Sequence, residues 1–242
     1  MSPQQSAAPW RRILAHAIYE LRITLRNGEQ VLLSLILPAL ILVFMTTSSL
    51  IQVDSPDRVA AITPGVLALA IMSSAFSGQA IATGFERRAG ALRMFATTPL
   101  GRSGLLGGKV LGVLGVQAAQ VIVLGGIAFL LGWSPHPVGL ATVVLWMILG
   151  TASFTALGLL LAGTMRAEAV LAGANILWVL LMVGGGTVLP GASWTTWLPS
   201  GALGDGMRHA FMVGALDPLA VGVLLGWTVL FCGLAVRFFR WA

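Results

Sequence analysis

Charged residues are scarce in this chain, and their scarcity excludes most classes of soluble protein. Only 9% of the 242 residues are charged, whereas 57% are hydrophobic and the mean hydropathy is +0.92. Soluble domains contain about 25% charged residues, so this chain has too few of them to cover a surface in contact with water. The composition predicts an integral membrane protein.

Cysteine and histidine are also too few for the common catalytic and metal sites. Cys232 is the single cysteine, which excludes an internal disulfide and a cysteine-cluster metal site. The three histidines (His16, His136 and His209) are scattered, and the chain contains neither a His-Glu-x-x-His zinc motif nor a Gly-x-Ser-x-Gly nucleophile elbow. We therefore expect no catalytic residue, no metal site and no cofactor held by this chain.

The chain contains long apolar runs instead. A helix needs about 20 mostly apolar residues to cross a bilayer, and such runs must be helical because the backbone has to satisfy its own hydrogen bonds in lipid. Glycines within the runs, such as Gly112, Gly115, Gly158 and Gly163, suit close contact between helices. The sequence thus predicts an all-α polytopic membrane protein. Six spans are expected, at residues 31–51, 60–84, 110–131, 138–163, 170–189 and 219–239.

The basic residues divide unequally between the two ends of these spans. Twelve of the fourteen lie on the side of the termini, and only Arg58 and Arg208 lie on the other side. Because lysine and arginine accumulate in cytoplasmic loops, we expect both termini to be cytoplasmic. The charge then reflects membrane topology, and nucleic acid is not an expected partner. The twelve are Arg11, Arg12, Arg22, Arg26, Arg87, Arg88, Arg93, Arg102, Lys109, Arg166, Arg237 and Arg240.

No ionisable residue lies near the middle of a predicted span. A carrier driven by protons or sodium ions normally keeps such a group near the bilayer midplane, so ion coupling is disfavoured. The eight acidic residues all fall in connections or at span ends: Glu20, Glu29, Asp54, Asp57, Glu86, Glu168, Asp205 and Asp217.

The segment before the first span, residues 10–28, has the pattern of an amphipathic helix. Its polar residues lie largely off a single apolar stripe, so the helix is suited to the membrane interface. It either anchors the amino terminus or acts as a lever that touches a cytoplasmic partner. The stripe consists of Ile13, Leu14, Ala17, Ile18, Leu21 and Leu25.

The connection at residues 85–109, here called the 85–109 loop, leads into a glycine-rich stretch, GRSGLLGGKV, at residues 101–110. This stretch is similar to a phosphate-binding loop, but Ser103 stands where the first glycine is required and Val110 where the magnesium-binding hydroxyl is required. A nucleotide site is therefore not expected. Long connections usually have structure or a function. The mixture of a carboxylate, basic residues and apolar residues favours a docking element, and a charged turn that only fixes topology is the alternative.

The opposite side of the membrane is expected to hold residues 190–218. Prolines and glycines break this segment too often for a span, and its tryptophans make it too apolar for a free loop. Short helices that re-enter the outer leaflet satisfy both observations. The aromatic residues either form an interfacial belt or contact a substrate, and the candidates for a substrate or outer-gate contact are Trp194, Trp197 and Phe211.

Three short motifs follow one another along the 85–109 loop. They are Glu-Arg-Arg-Ala-Gly-Ala-Leu at residues 86–92, Thr-Pro-Leu at residues 98–100 and Gly-Lys at residues 108–109. With these motifs the chain resembles the permease subunits of ABC transporters of the ABC-2 type, particularly small bacterial drug-resistance exporters. The resemblance covers nearly the whole chain, including the amphipathic first helix and the short outer helices.

The resemblance implies a division of labour between subunits. Separate ABC ATPase subunits would bind ATP and magnesium, and this chain, with a second copy or a sibling permease, would export an amphipathic compound such as a drug, antibiotic or lipid. The location would be the bacterial cytoplasmic membrane, with membrane lipid around the chain. A secondary carrier of a small apolar solute and a non-transport scaffold are the alternatives. The residues expected to contact the ATPase are Glu86, Arg87, Arg88, Gly90, Leu92, Arg93, Phe95 and Pro99.

Overall fold

The computed structural model describes residues 8–48, 55–91, 94 and 101–238. Within these residues the chain is helical and contains no strand. Five helices are long and apolar enough to cross a membrane, which confirms the prediction of an all-α polytopic membrane protein. Leu92, Arg93, Phe95 and Pro99, four of the predicted contact residues, lie outside the described residues.

The amino-terminal part contains a surface helix and a short apolar helix. Helix α1 is the predicted amphipathic helix. A π-helical turn at Leu32–Ile36 joins α2 to α3, and the apolar part of this stretch, Ser34–Thr47, is shorter than the other spans. The first predicted span therefore corresponds to a helix that begins earlier than expected, and residues 49–51 of that prediction lie outside the described part. The bounds are α1 Pro9–Arg26, α2 Gly28–Val31 and α3 Leu37–Thr47.

The second span is the central helix of the bundle. It comprises α4 (Arg58–Met72), a π-helical turn (Ser73–Gly78) and α5 (Gln79–Arg88). Its most apolar window is 83% buried inside the chain, against 22% for the fifth and the last spans. Helices α3, α6, α7, α8 and α9 surround it. The remaining spans are α6 Gly101–Leu130, α7 Pro137–Thr164, α8 Ala167–Gly184 and α10 Pro218–Phe238.

Helix α6 begins at Gly101, nine residues before the predicted start of the third span. The glycine-rich stretch GRSGLLGGKV therefore forms the first turns of a long continuous helix. The 85–109 loop is correspondingly shorter in structure than in prediction, because α5 extends to Arg88 at its other end.

Local sequence explains where several helices begin. Proline occupies the first position of α1, α7, α9 and α10, where its missing N–H would have no intrahelical partner. Asp57 caps α4 by accepting a hydrogen bond from the Ala60 N–H at 2.9 Å, and Asp217 accepts one from the Leu219 N–H at 2.9 Å.

Between the fifth and the last span, the chain forms three short helices that pack into the bundle. A 3₁₀-helix at Ser193–Trp197 leads into α9 (Pro199–Arg208) and a π-helical turn at His209–Val213. Nine of the ten residues of α9 are buried, mainly against α4, α7 and α10. A surface loop would leave most of its residues exposed, so these short helices are part of the packed bundle. Their re-entry into the outer leaflet stays a prediction.

Polar side chains join the helices inside the bundle. Thr151 on α7 donates a hydrogen bond to the Gln117 Oε1 on α6 at 2.9 Å, and both residues are buried. Gln120, one turn further along α6, donates to the Ser34 carbonyl at 2.6 Å. Such bonds between spans are stabilising because an unpaired polar group in hydrocarbon is costly.

Candidate functional site

Helix α1 lies along the first turns of α6, and glycines on α6 make the contact possible. A Cβ atom at Gly108 would lie 2.4 Å from the His16 Cδ2, and one at Gly112 would lie 2.8 Å from the Glu20 Cβ. Both distances are shorter than side chains tolerate, so the two helices can pack this closely only with glycine at these positions. Gly107 and Gly108 of the stretch that resembles a phosphate-binding loop, together with Gly112, are therefore part of the surface on which α1 packs.

This contact encloses four titratable side chains, His16, Glu20, Glu86 and Lys109, here called the Lys109 cluster. The Lys109 Nζ lies 2.7 Å from the Glu86 Oε1 and 3.2 Å from the Glu20 Oε1. The His16 Nε2 lies 3.2 Å from the same Glu20 oxygen. Lys109 is only 2% exposed, so it is a buried ion-pair partner and not a solvated charge at the end of a span. The cluster joins α1, the end of α5 and the start of α6.

The electrostatics of the cluster depend on a single lysine placed between two carboxylates. Burial by itself raises the pKa of Glu20, but the hydrogen bond from His16 and the charge of Lys109 outweigh it and hold that pKa below its ordinary value. Glu86 shares Lys109 with Glu20. Its second oxygen, Oε2, is buried and has no hydrogen-bond partner among the described residues.

The next two residues of α5 attach the start of the 85–109 loop to the connection between α7 and α8. Arg87 donates hydrogen bonds to the carbonyl oxygens of Gly163, at 2.8 Å, and of Met165. These carbonyls end α7 and lack helical partners, so a cation is favourable there. Arg88 forms an ion pair with Glu168 in the first turn of α8.

The backbone turns at Gly90, two residues after the end of α5. Its φ of +73° lies in the left-handed region, which glycine adopts without steric cost. The predicted contact residues Glu86, Arg87 and Arg88 thus have partners within the chain, and Gly90 turns the backbone. Their contact with an ATPase stays a prediction.

The three aromatic candidates for a substrate or outer-gate contact differ in exposure. Trp194 and Trp197 are 58% and 61% exposed. Phe211 is only 4% exposed, and its ring packs against the Trp133 ring with a centroid distance of 5.1 Å. A Cβ at Gly139 would lie 2.2 Å from the Phe211 ring. In this conformation the tryptophans are accessible to a ligand, whereas Phe211 is a packing residue.

Arg208 has a structural role that its place in the sequence does not reveal. It is 7% exposed, and its guanidinium donates to the carbonyls of Gly186, Thr187 and Val188 at 2.9–3.2 Å and to the Asp205 Oδ1 at 2.7 Å. It thereby holds the irregular chain after α8 against α9. The one signal in the sequence was an aspartate three residues before an arginine within an apolar segment.

Comparisons with known proteins agree with this architecture. The model of a family described as ABC-2 family transporter protein matches residues 47–238. The chain is also 29% identical over 228 residues to YvfS of Bacillus subtilis (strain 168), a protein provisionally described as a transport permease. The alignment covers 89% of this chain and 91% of that protein.

Proposed function

Because the chain belongs to the ABC-2 family of transporter proteins and is a transport permease, we propose that it is the membrane subunit of an exporter whose ATP is hydrolysed by a separate ABC ATPase. The family implies an ABC ATPase partner in general. A second copy of the chain, or a sibling permease, would complete the transporter. The proposed location is the bacterial cytoplasmic membrane, with both termini in the cytoplasm.

The charge distribution supports an external energy source. The charged side chains of the five long helices lie near the helix ends, as Lys109, Glu168 and Arg237 do. Ion-coupled carriers need an ionisable group near the midplane, and these helices offer none within the described residues. The energy for transport is therefore expected from the partner subunit and not from an ion gradient.

The Lys109 cluster is the observation on which the proposal chiefly rests. A force applied to the 85–109 loop acts first on its start, at the end of α5. Glu86 is bonded there to Lys109 on α6, and Lys109 is paired with Glu20 on α1. Movement of the loop would therefore shift α5, α6 and α1 together. We propose that Glu86 acts in coupling by fixing the start of the loop to these helices, in addition to or in place of touching the ATPase.

The proposed cargo is an amphipathic compound such as a drug, an antibiotic or a lipid. Support comes from the exposed Trp194 and Trp197, whose side chains combine a large apolar ring with one hydrogen-bond donor. The backbone carbonyl oxygen of Trp197 also accepts a hydrogen bond from the Trp227 Nε1 on α10 at 2.8 Å, which connects this surface to the last span.

The proposal is tested by purifying the tagged chain from its native membranes. We expect an ABC ATPase to copurify in stoichiometric yield and ATP to drive export from cells or into inverted vesicles. Glu86→Gln should keep the chain folded but reduce transport per ATP hydrolysed, because the loop is held less firmly. Asp217→Asn, which removes a carboxylate at the other end of the bundle but retains a capping oxygen, should transport normally.

Two results would contradict the proposal. A chain that purifies without an ATPase and exchanges solute would be a secondary carrier. A Glu86→Gln variant with the full transport yield per ATP would show that the Lys109 cluster stabilises the fold without serving in coupling.

A further inference from the structure

A cleft of about 500 Å³ lies at the helix ends where α5, α7 and α8 meet. Its volume is within the roughly 300–1,000 Å³ typical of small-molecule sites. Three arginines line it, Arg87 and Arg88 from the end of α5 and Arg166 from the connection between α7 and α8. Glu168 is the one carboxylate among the described residues of its lining, so the lining carries a net positive charge.

The three guanidinium groups differ in what they already bind. Arg87 is directed to the carbonyls of Gly163 and Met165, and Arg88 is paired with Glu168. Arg166 is exposed and makes no side-chain hydrogen bond or ion pair with the described residues. A cleft that holds one unengaged guanidinium, and a second whose partner is a solvent-exposed carboxylate, has donors available for an anion.

We propose that this cleft binds the phosphate group of an anionic membrane lipid. Arginine presents a planar pair of donors that matches phosphate oxygens, and the unpaired N–H groups of the first turn of α8 add to the attraction. Basic pockets between transmembrane helices are known to accept lipid head groups. The ligand of this site is neither the cargo nor ATP, although Arg87, Arg88 and Gly90 of its lining are also predicted to contact the ATPase.

The position of the cleft favours a lipid over a soluble phosphate compound. It lies where the second and fourth spans end and the fifth begins, and spans of these lengths are expected to bring their ends to the head-group region. Two apolar side chains near the arginines in sequence, Phe85 two residues before Arg87 and Met165 directly before Arg166, are 41% and 38% exposed. They provide an apolar surface beside the basic one, which suits a molecule with both a phosphate and acyl chains.

The test measures binding of phosphatidylglycerol to the purified full-length chain in neutral detergent, for example by native mass spectrometry. Arg166→Ala should weaken binding roughly fivefold, the effect expected for one arginine near a lipid surface. Glu168→Gln should strengthen binding, because it removes the opposing carboxylate and releases Arg88. A gain in affinity cannot result from misfolding. Arg22→Ala removes the same charge from an exposed position on α1 and should leave the affinity nearly unchanged.

Three results would overturn the proposal. Equal losses in Arg166→Ala and Arg22→Ala would show that lipid binds the basic surface without a site. Displacement of phosphatidylglycerol by inorganic phosphate at similar concentration would assign the cleft to a soluble phosphate compound. Loss of a copurifying ATPase in Arg166→Ala with lipid binding unchanged would assign it to the protein partner.

Discussion

Replacing Lys109 by methionine tests the buried cluster most directly. Methionine retains most of the volume of the lysine side chain but removes its charge. Glu20 and Glu86 would then face each other across a buried site without the cation that lies between them. Removing one partner of a buried ion pair typically costs about 3–5 kcal/mol. Because Lys109 serves two carboxylates, we expect a loss in the upper part of this range.

The single change at Glu86 should cost much less. In Glu86→Gln, Lys109 keeps Glu20 at 3.2 Å, and the glutamine amide oxygen can still accept a hydrogen bond from the lysine. The expected loss is about 1 kcal/mol, the value of an ordinary hydrogen bond. The double variant, Glu86→Gln with Lys109→Met, removes opposite charges together, so its loss should be smaller than the sum of the two single losses.

The measurement is a double-mutant cycle on the free energy of unfolding in mixed detergent micelles. We expect a coupling energy of at least about 1 kcal/mol between residues 86 and 109, as contacting pairs normally show. Additive losses would refute the reasoning, as would a Lys109→Met variant as stable as the wild type. Either result would mean that Lys109 is solvated in the membrane-embedded protein.

The other predictions concern the helix contact, the acid response and the outer helices. Gly112→Ala should detach α1 from α6, and faster proteolysis near the amino terminus would detect this. Gly126→Ala on the same helix should be tolerated, because no neighbouring atom among the described residues lies within 4 Å of the methyl group that it would add. The stabilisation from Glu20 should be complete above its ordinary pKa of 4.5 and disappear as the pH falls below it through the lower folded pKa; Glu20→Gln should remove this part of the acid dependence. Arg208→Met should abolish stable folding by leaving buried carbonyl oxygens unpaired, and Arg208→Lys should restore it only partly because lysine lacks the planar fork; expression and thermal unfolding measure both.

The spans could be predicted because they depend on composition over about 20 residues. Hydropathy alone identifies α7 and α10 to within a few residues. It misses the start of α6, because glycine and polar residues lower the hydropathy of the first turns. These turns are nevertheless helical and pack against α1. The buried glycines Gly112 and Gly158 were recognisable as contact positions, because small residues are the usual means of close helix packing in membranes.

The Lys109 cluster could not be predicted from spacing. Its members come from three segments that are well separated along the chain, apart from His16 and Glu20, which lie one helical turn apart. Lys109 stands at the edge of an apolar run, where a basic residue ordinarily marks the end of a span. Only the packing of α1 on α6 makes it a buried residue. The nearby Gly112 indicates a close helix contact, but nothing in the local sequence identifies α1 as the helix that makes it.

A basic residue near a span end can orient the span during membrane insertion, and it can pair with other groups after folding. In this chain the same residues are expected to do both. During insertion the unfolded segment orients itself by its arginines and lysines, and acidic residues contribute little to that choice. After folding, the same groups meet partners that did not exist during insertion. Lys109 gains two carboxylates, Arg87 gains the carbonyls that end α7, and Arg88 gains Glu168. Their pairing leaves the expected orientation unchanged. Lys109 and Arg87 are engaged in buried or partly buried contacts, whereas the Arg88–Glu168 pair is exposed and can exchange its carboxylate for another anion. Arg166 keeps its charge without a partner among the described residues, which is why the cleft around it, and not the glycine-rich start of α6, is the place on this chain where a phosphate group is expected.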